Sequence, residues 1–140
     1  MRFAILPVGL PTKNNRVYTR EALEDALKRA NEKWIPVTDG VSTFQDGAAI
    51  NLKDVIGQAR EFKIEHKSQP TREALCGVDS IASDEVVTCQ LVVDQNSELL
   101  KLLLEGKIAA RPMGIGSYEE GSNVVKDYEM TGVSLTNDPA

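Results

Sequence analysis

One segment of this chain has long helical periodicity, and the stretches around it alternate like strands. Ala22, Leu23, Ala26, Leu27, Ala30 and Trp34 recur at spacings of three and four, which puts them on one face of a helix over residues 20 to 33. Thr19 is placed to act as its N-cap, Glu21 in the first turn meets the positive end of the helix dipole, and Pro36 closes it. A chain with one such helix must bury that apolar face against something else. The remaining sequence offers mainly strands for the purpose.

Phe3, Ile5 and Val8 form an opening strand that Pro7 pushes toward a sheet edge. Thr12 to Tyr18 is polar and turn-like, and Val37 to Gly47 reads as a short strand followed by an irregular loop. Strands are expected over residues 54 to 65, 74 to 82 and 86 to 93, the last being rich in β-branched residues. Ser83 and Asp84 make a tight connection that pairs the latter two as a hairpin. A short, mostly buried leucine-rich helix starts at Asn96 or Ser97 and stops at Gly106, where a left-handed residue is least costly. Ile108 to Ala110, a Gly-rich turn, a polar hairpin around Glu119 to Asn123, and strands over 124 to 130 and 132 to 136 complete the chain. The expected fold class is α+β: a small, mainly antiparallel sheet or barrel flanked by two helices, in one domain over residues 1 to 140.

Composition removes several functions. With a net charge of −5 and aromatic residues at 5%, the chain has neither the basic surface nor the stacking platforms that nucleic acid requires. No stretch approaches a transmembrane span and no secretory leader is legible, so a cytosolic site of synthesis is expected. Cys76 and Cys89 lie in apolar, strand-like runs without metal-ligand spacing, and read as small buried thiols, with a disulfide as the alternative. Acidic pairs at Glu24 with Asp25, Asp84 with Glu85, and Glu119 with Glu120 read as solvated surface. No metal or cofactor is expected.

The segment Ile108 to Tyr118, IAARPMGIGSY, carries more chemistry. Gly114 and Gly116 do not form a phosphate-binding loop, because no helix N-terminus follows them. Three stretches together resemble a known family: the run from Thr12 to Leu23, with its Asn-rich turn and Tyr18 before a helix; the Gly-Ile-Gly-Ser segment at 114 to 117; and the closing Gly132-Val133-Ser134-Leu135 with Pro139-Ala140. In that order they resemble the prohead maturation proteases of tailed bacteriophages. The resemblance implies the herpesvirus-assemblin-like fold and a role in phage head assembly.

That family's activity rests on a serine activated by a histidine. Here the resemblance puts the nucleophile position at Arg111 or Pro112 and the histidine position in the strand Ile35 to Gly40. Neither Arg111 nor Pro112 can attack a carbonyl. Asp39 stands near the histidine position, and a carboxylate is too weak a base to activate a serine at neutral pH. Gly114, Gly116 and Ser117 would then be kept for architecture. His66 reads as an exposed loop residue and Ser117 as a turn residue, so a His66–Ser117 dyad is the minor alternative.

The resemblance therefore implies a noncatalytic structural protein of a phage head, a decoration or cement protein that binds the major capsid protein in the virion. Self-association or contact with other head proteins is also expected. Phe44 and Phe3 are the candidate capsid contacts. The alternatives are an active maturation protease with a relocated nucleophile, and a transient assembly factor.

Overall fold

A computed structural model describes residues 2–12, 15–41, 50, 52–66, 75–76, 84–93 and 98–136. In chain order the elements are β1 (Arg2–Pro7), β2 (Val17–Tyr18), α1 (Arg20–Ala30), β3 (Ile35–Asp39), β4 (Val55–His66), β5 (Leu75–Cys76), β6 (Glu85–Val93), α2 (Glu98–Leu104), β7 (Ala109–Tyr118) and β8 (Val124–Thr136). One sheet runs β2-β8-β3-β4-β6-β1-β5, with β7 paired to β8 as well. It curls into a half-barrel, so that β1 comes close to β7 without pairing to it.

The sheet is mixed, which corrects the expectation of a mainly antiparallel one. β7–β8, β1–β6, β3–β4 and β4–β6 are antiparallel, whereas β2–β8, β3–β8 and β1–β5 are parallel. The reason is the helix between β2 and β3. A helical crossover returns the chain in its starting direction, so both strands lie parallel to β8, one beside its start and one beside its end.

Thr19 caps α1 as its side-chain oxygen accepts the Ala22 amide at 3.2 Å. Leu23, Ala26, Leu27 and Ala30 are buried against Tyr128, Met130, Val133 and Leu135 in a common core with Ile35, Val37, Phe62 and Val87. The helix ends at Ala30, three residues early. Pro36 lies within β3 instead of closing the helix, and Trp34, beyond the last helical turn, is 54% exposed.

What stops the helix is Asn31, whose side chain works as a piece of strand. Its amide donates to the Phe62 carbonyl (2.9 Å) and accepts from the Phe62 amide (2.8 Å). That pairing holds a bulge in β4, where Glu61 has a φ of 55° and the register with β6 slips between Arg60 and Lys63. The Arg2 guanidinium donates to the Glu61 carbonyl from β1. Asn31→Ala leaves two backbone groups at the bulge without protein partners, and is expected to lower stability by about 2 kcal/mol in chemical denaturation. An unchanged midpoint would show that water replaces the amide at no loss.

Other expectations also shift. β5 lies beside β1, not β6, so the described part of residues 74–82 forms no hairpin with β6. Phe3 pairs with Cys76 on one side and Cys89 on the other. Two strand spacings, roughly 9.5 Å, then separate the cysteines, which is beyond disulfide reach, and Cys89 is a free buried thiol. α2 is less buried than its leucines suggest: Leu103 is buried, Leu99 and Leu100 are partly so, and Leu104 is 48% exposed. Gly106 ends it as expected, with a φ of 74° and paired bonds from Gly106 to Leu103 and from Lys107 to Leu102.

Candidate functional site

The positions singled out by the family resemblance lie on three adjacent strands, β3, β8 and β7. Register sets which of them meet. Thr38 of β3 pairs with Ser134 of β8, which pairs with Arg111 of β7. Asp39 falls one residue further along, opposite Leu135 and Ala110. The row that contains Arg111 therefore contains Thr38 rather than Asp39. Sequence reading missed Thr38 because a one-residue register is set by the pairing with β8, which no local pattern encodes.

Thr38 is fully buried and Ser134 nearly so. The Thr38 hydroxyl points at the Met113 sulfur, 3.7 Å away, and the Ser134 hydroxyl faces the Cα of Gly40, where a Cβ would collide with it. The Gly40 amide donates to the Leu135 carbonyl at 2.8 Å. Asp39 accepts the Val41 amide at 2.9 Å, so its carboxylate shapes the chain where β3 ends.

Pro112 is buried next to this row, paired with Val133. A proline is tolerated there because β7 has a strand partner on one edge among the described residues, leaving the missing N–H on the other. Arg111 lies near enough to Tyr18 and Tyr128 to favour their ionised forms, although burial is the larger influence and raises both phenols. The two rings meet edge to face with centroids 5.1 Å apart.

The Gly-rich segment is not a turn. Gly114, Ile115, Gly116 and Ser117 continue β7 and pair with Met130, Glu129, Tyr128 and Asp127. Both glycines serve close approach. A Cβ on Gly114 would lie 2.4 Å from the Glu129 carbonyl oxygen and 2.5 Å from the Tyr128 ring, and one on Gly116 would lie 2.8 Å from the Asp127 carbonyl oxygen. The bulge between Met113 and Gly114 is fastened by the Thr131 hydroxyl, which donates to the Met113 carbonyl at 3.2 Å.

Ser117 is exposed and its hydroxyl donates to Asp127 at 3.1 Å. His66 ends β4, opposite Glu85. Two strands separate β4 from β7 by either route round the sheet, so Ser117 and His66 are not brought together. Among the described residues, no group of three or more His, Cys, Asp or Glu side chains is arranged to hold a metal ion, and no helix is long and apolar enough to cross a membrane. Of the two aromatic contact candidates, Phe3 is 3% exposed and belongs to the core, so it is unavailable to a partner. Phe44 lies outside the described residues.

No protein-family model matches the chain, and no curated protein matches it. Among solved structures, the fold is similar to that of the capsid assembly protease gp21 of bacteriophage T4. The TM-score is 0.58 at 14% sequence identity, over 96% of this chain and 79% of that one. At such low identity the likeness concerns the fold, and the chain shares that of a phage capsid assembly protease.

Proposed function

We propose that this chain is a noncatalytic head protein of a tailed bacteriophage, built on a capsid-assembly-protease fold and used as a decoration or cement protein on the major capsid protein. The observation that carries the reading is the composition of the row across β3, β8 and β7. Thr38, Ser134 and Arg111 meet there, and none of the three accepts a proton at neutral pH. A hydroxyl becomes a good nucleophile only when a base takes its proton, and the side chains of this row supply no such base. The phage-head setting is supported by the fold shared with gp21 and by the family resemblance of the sequence.

With Phe3 buried, the capsid-facing surface we assign is the outer face of the sheet. Ile35 and Val37 point into the core; Pro36 lies on the opposite face of β3 but is itself buried, and its row runs through Gln58 to the exposed Val92. Ile115 pairs with Glu129, which Lys33 bridges at 3.1 Å beside Trp34. Trp34, Val92 and Ile115 are 54%, 47% and 63% exposed. Apolar anchors set among charged neighbours match the usual organisation of a binding surface.

The protease fold of gp21 and the two hydroxyls in the row favour one rival, an active protease with a relocated nucleophile. Incubating the chain with capsid and scaffold precursors separates the two. Precursors are expected to remain intact; cleavage that disappears in Ser134→Ala or Ser117→Ala would establish the rival. Purified virions are expected to contain the chain in stoichiometric amount. Its absence from mature particles would favour a transient assembly factor.

A further inference from the structure

We infer that two copies of this chain pair through the open edge of β7, antiparallel about a two-fold axis at Ile115, so that their sheets join into one. β7 forms one end of the sheet: β8 holds β2 and β3 along its other edge, and among the described residues β7 has no second strand partner. Its first half is protected. Ala110, Pro112 and Met113 are buried, Pro112 lacks a donor, and a bulge follows between Met113 and Gly114. From Ile115 to Tyr118 the strand is exposed, Gly116 included, and an exposed glycine is exposed backbone.

The approach of β8 decides which backbone groups face that edge. The Glu129 and Asp127 carbonyl oxygens lie 2.4 and 2.8 Å from the places a Cβ would take on Gly114 and Gly116. Carbonyls so close point at β7, which makes Ile115–Glu129 and Ser117–Asp127 the hydrogen-bonded pairs of this ladder. Alternation then turns the N–H and C=O of Gly114 and Gly116 outward, to the open edge.

These two residues stand symmetrically about Ile115, so the edge is complementary to itself. In antiparallel pairing centred there, Gly114 meets the partner's Gly116 and Gly116 the partner's Gly114, each pair exchanging both of its N–H···O bonds. Ile115 becomes the non-hydrogen-bonded pair on the axis, where side chains come closest, and its 63% exposure is covered by its own symmetry mate. No charged residue lies between Pro112 and Tyr118 to repel a copy. The carboxylates beside this stretch belong to β8 and are occupied, Glu129 by Lys33 and Asp127 by the Ser117 hydroxyl. The pairing lays the Ile115 side chains of both copies on one continuous outer face, although it does not depend on that face meeting a capsid. A single short edge buries less than about 1,200 Å², the range of weak, reversible associations. A two-fold contact uses the same edge on both copies, so assembly stops at the dimer.

Cross-linking tests the register and sedimentation velocity the association, both on the full chain. Ile115→Cys should give a disulfide-linked dimer under mild oxidation, because a pair on the axis brings its Cβ atoms within about 5 Å. Ser117→Cys, whose mate lies roughly 13 Å away along the pairing, should not. In sedimentation up to about 1 mM, the wild-type chain is expected to form dimers that persist in about 1 M salt, where screening acts over roughly 3 Å. Ile115→Lys and Ile115→Glu should each weaken dimerisation at least about tenfold, since like charges then oppose each other on the axis. An equimolar mixture of the two should recover it at low salt. Circular dichroism confirms that each variant is folded. A wild-type chain that stays monomeric throughout, assemblies larger than a dimer, or Ser117→Cys cross-linking as well as Ile115→Cys would overturn the inference. So would dimers indifferent to Ile115→Lys, or a mixture that fails to recover.

Discussion

Gly114→Ala is expected to destabilise the protein by about 3 kcal/mol and to lower its melting temperature by roughly 10 °C. The new methyl group would lie 2.4 Å from the Glu129 carbonyl oxygen and 2.5 and 2.6 Å from the Cζ and hydroxyl of Tyr128. Real contacts of a Cβ stay beyond 3 Å, so β7 must move away from β8 or Tyr128 must leave its place. Neither move is easy. Tyr128 is 5% exposed and locked edge to face with Tyr18, and β7–β8 is the longest strand pairing in the sheet. Thermal melts followed by circular dichroism give the measurement, with Ser117→Ala as an exposed neighbour expected to shift little. The double variant Gly114→Ala, Tyr128→Leu should recover no stability over Gly114→Ala, because the carbonyl clash is with backbone and the tyrosine's packing is lost as well. A melting temperature within a degree or two of wild type would remove close approach as the reason for this glycine.

The same residue shows what a sequence can and cannot reveal. Two glycines within three residues read as a turn, since turns are where glycine is most often needed. Here the need comes from the Glu129 carbonyl and the Tyr128 ring, which strand pairing within the β7–β8 hairpin brings against Gly114. Local periodicity did better where the structure is local: α1 begins at its Thr19 cap, Gly106 ends α2, and β4 and β6 lie close to where alternation places them, while the two strands expected over 124 to 130 and 132 to 136 run on as the single β8. It failed where distant segments compete. Asn31 ends α1 because Phe62 of β4 takes its side chain. β1 comes between β5 and β6, displacing a hairpin that proximity in sequence favours.

The candidate site follows the same division. The strand carrying Asp39 could be named from sequence, whereas Arg111 follows the short run Ile108 to Ala110 at the edge of what reads as a turn; β8 joins the two strands. Which residues share a row could not, because the β3–β8 register is parallel and non-local. Thr38 is consequently the position to vary together with Arg111 when the row's chemistry is examined. Phe3 shows the opposite error: an aromatic residue near a chain start resembles an accessible anchor, yet β6 covers one edge of β1, β5 begins on the other, and its side chain is core.

Alkaline pH should unfold this protein well before its arginines titrate. Burial pushes the Cys89 thiol from 9.0 up to about 12, with the Arg2 charge opposing it. Tyr128 is raised above its ordinary 10.0 by burial and by Tyr18, against the pull of Arg16 and Arg111, and Tyr18 is raised by burial against its hydrogen bond from Arg16. Each of these groups is neutral when protonated, so the unfolded chain ionises first as pH rises. The stability they contribute is fully present below the unfolded value near 9 and is lost as pH climbs through the folded ones. A group inside such a window costs about 1.4 kcal/mol per pH unit. Cys89 alone then removes about 3 kcal/mol by pH 11, with both phenols adding to the loss above pH 10. Against a total stability of roughly 5–15 kcal/mol, this is a large share. Urea midpoints should stay level from pH 7 to 8.5 and fall steeply from pH 9 to 11. Cys89→Ala should start somewhat lower, from lost packing, and show a flatter profile between pH 9 and 10, before the tyrosines ionise. A wild-type midpoint that does not change up to pH 11 would mean that thiol and phenols reach solvent in the folded state, and that the sheet around Phe3 and Tyr18 is more open than its packing indicates.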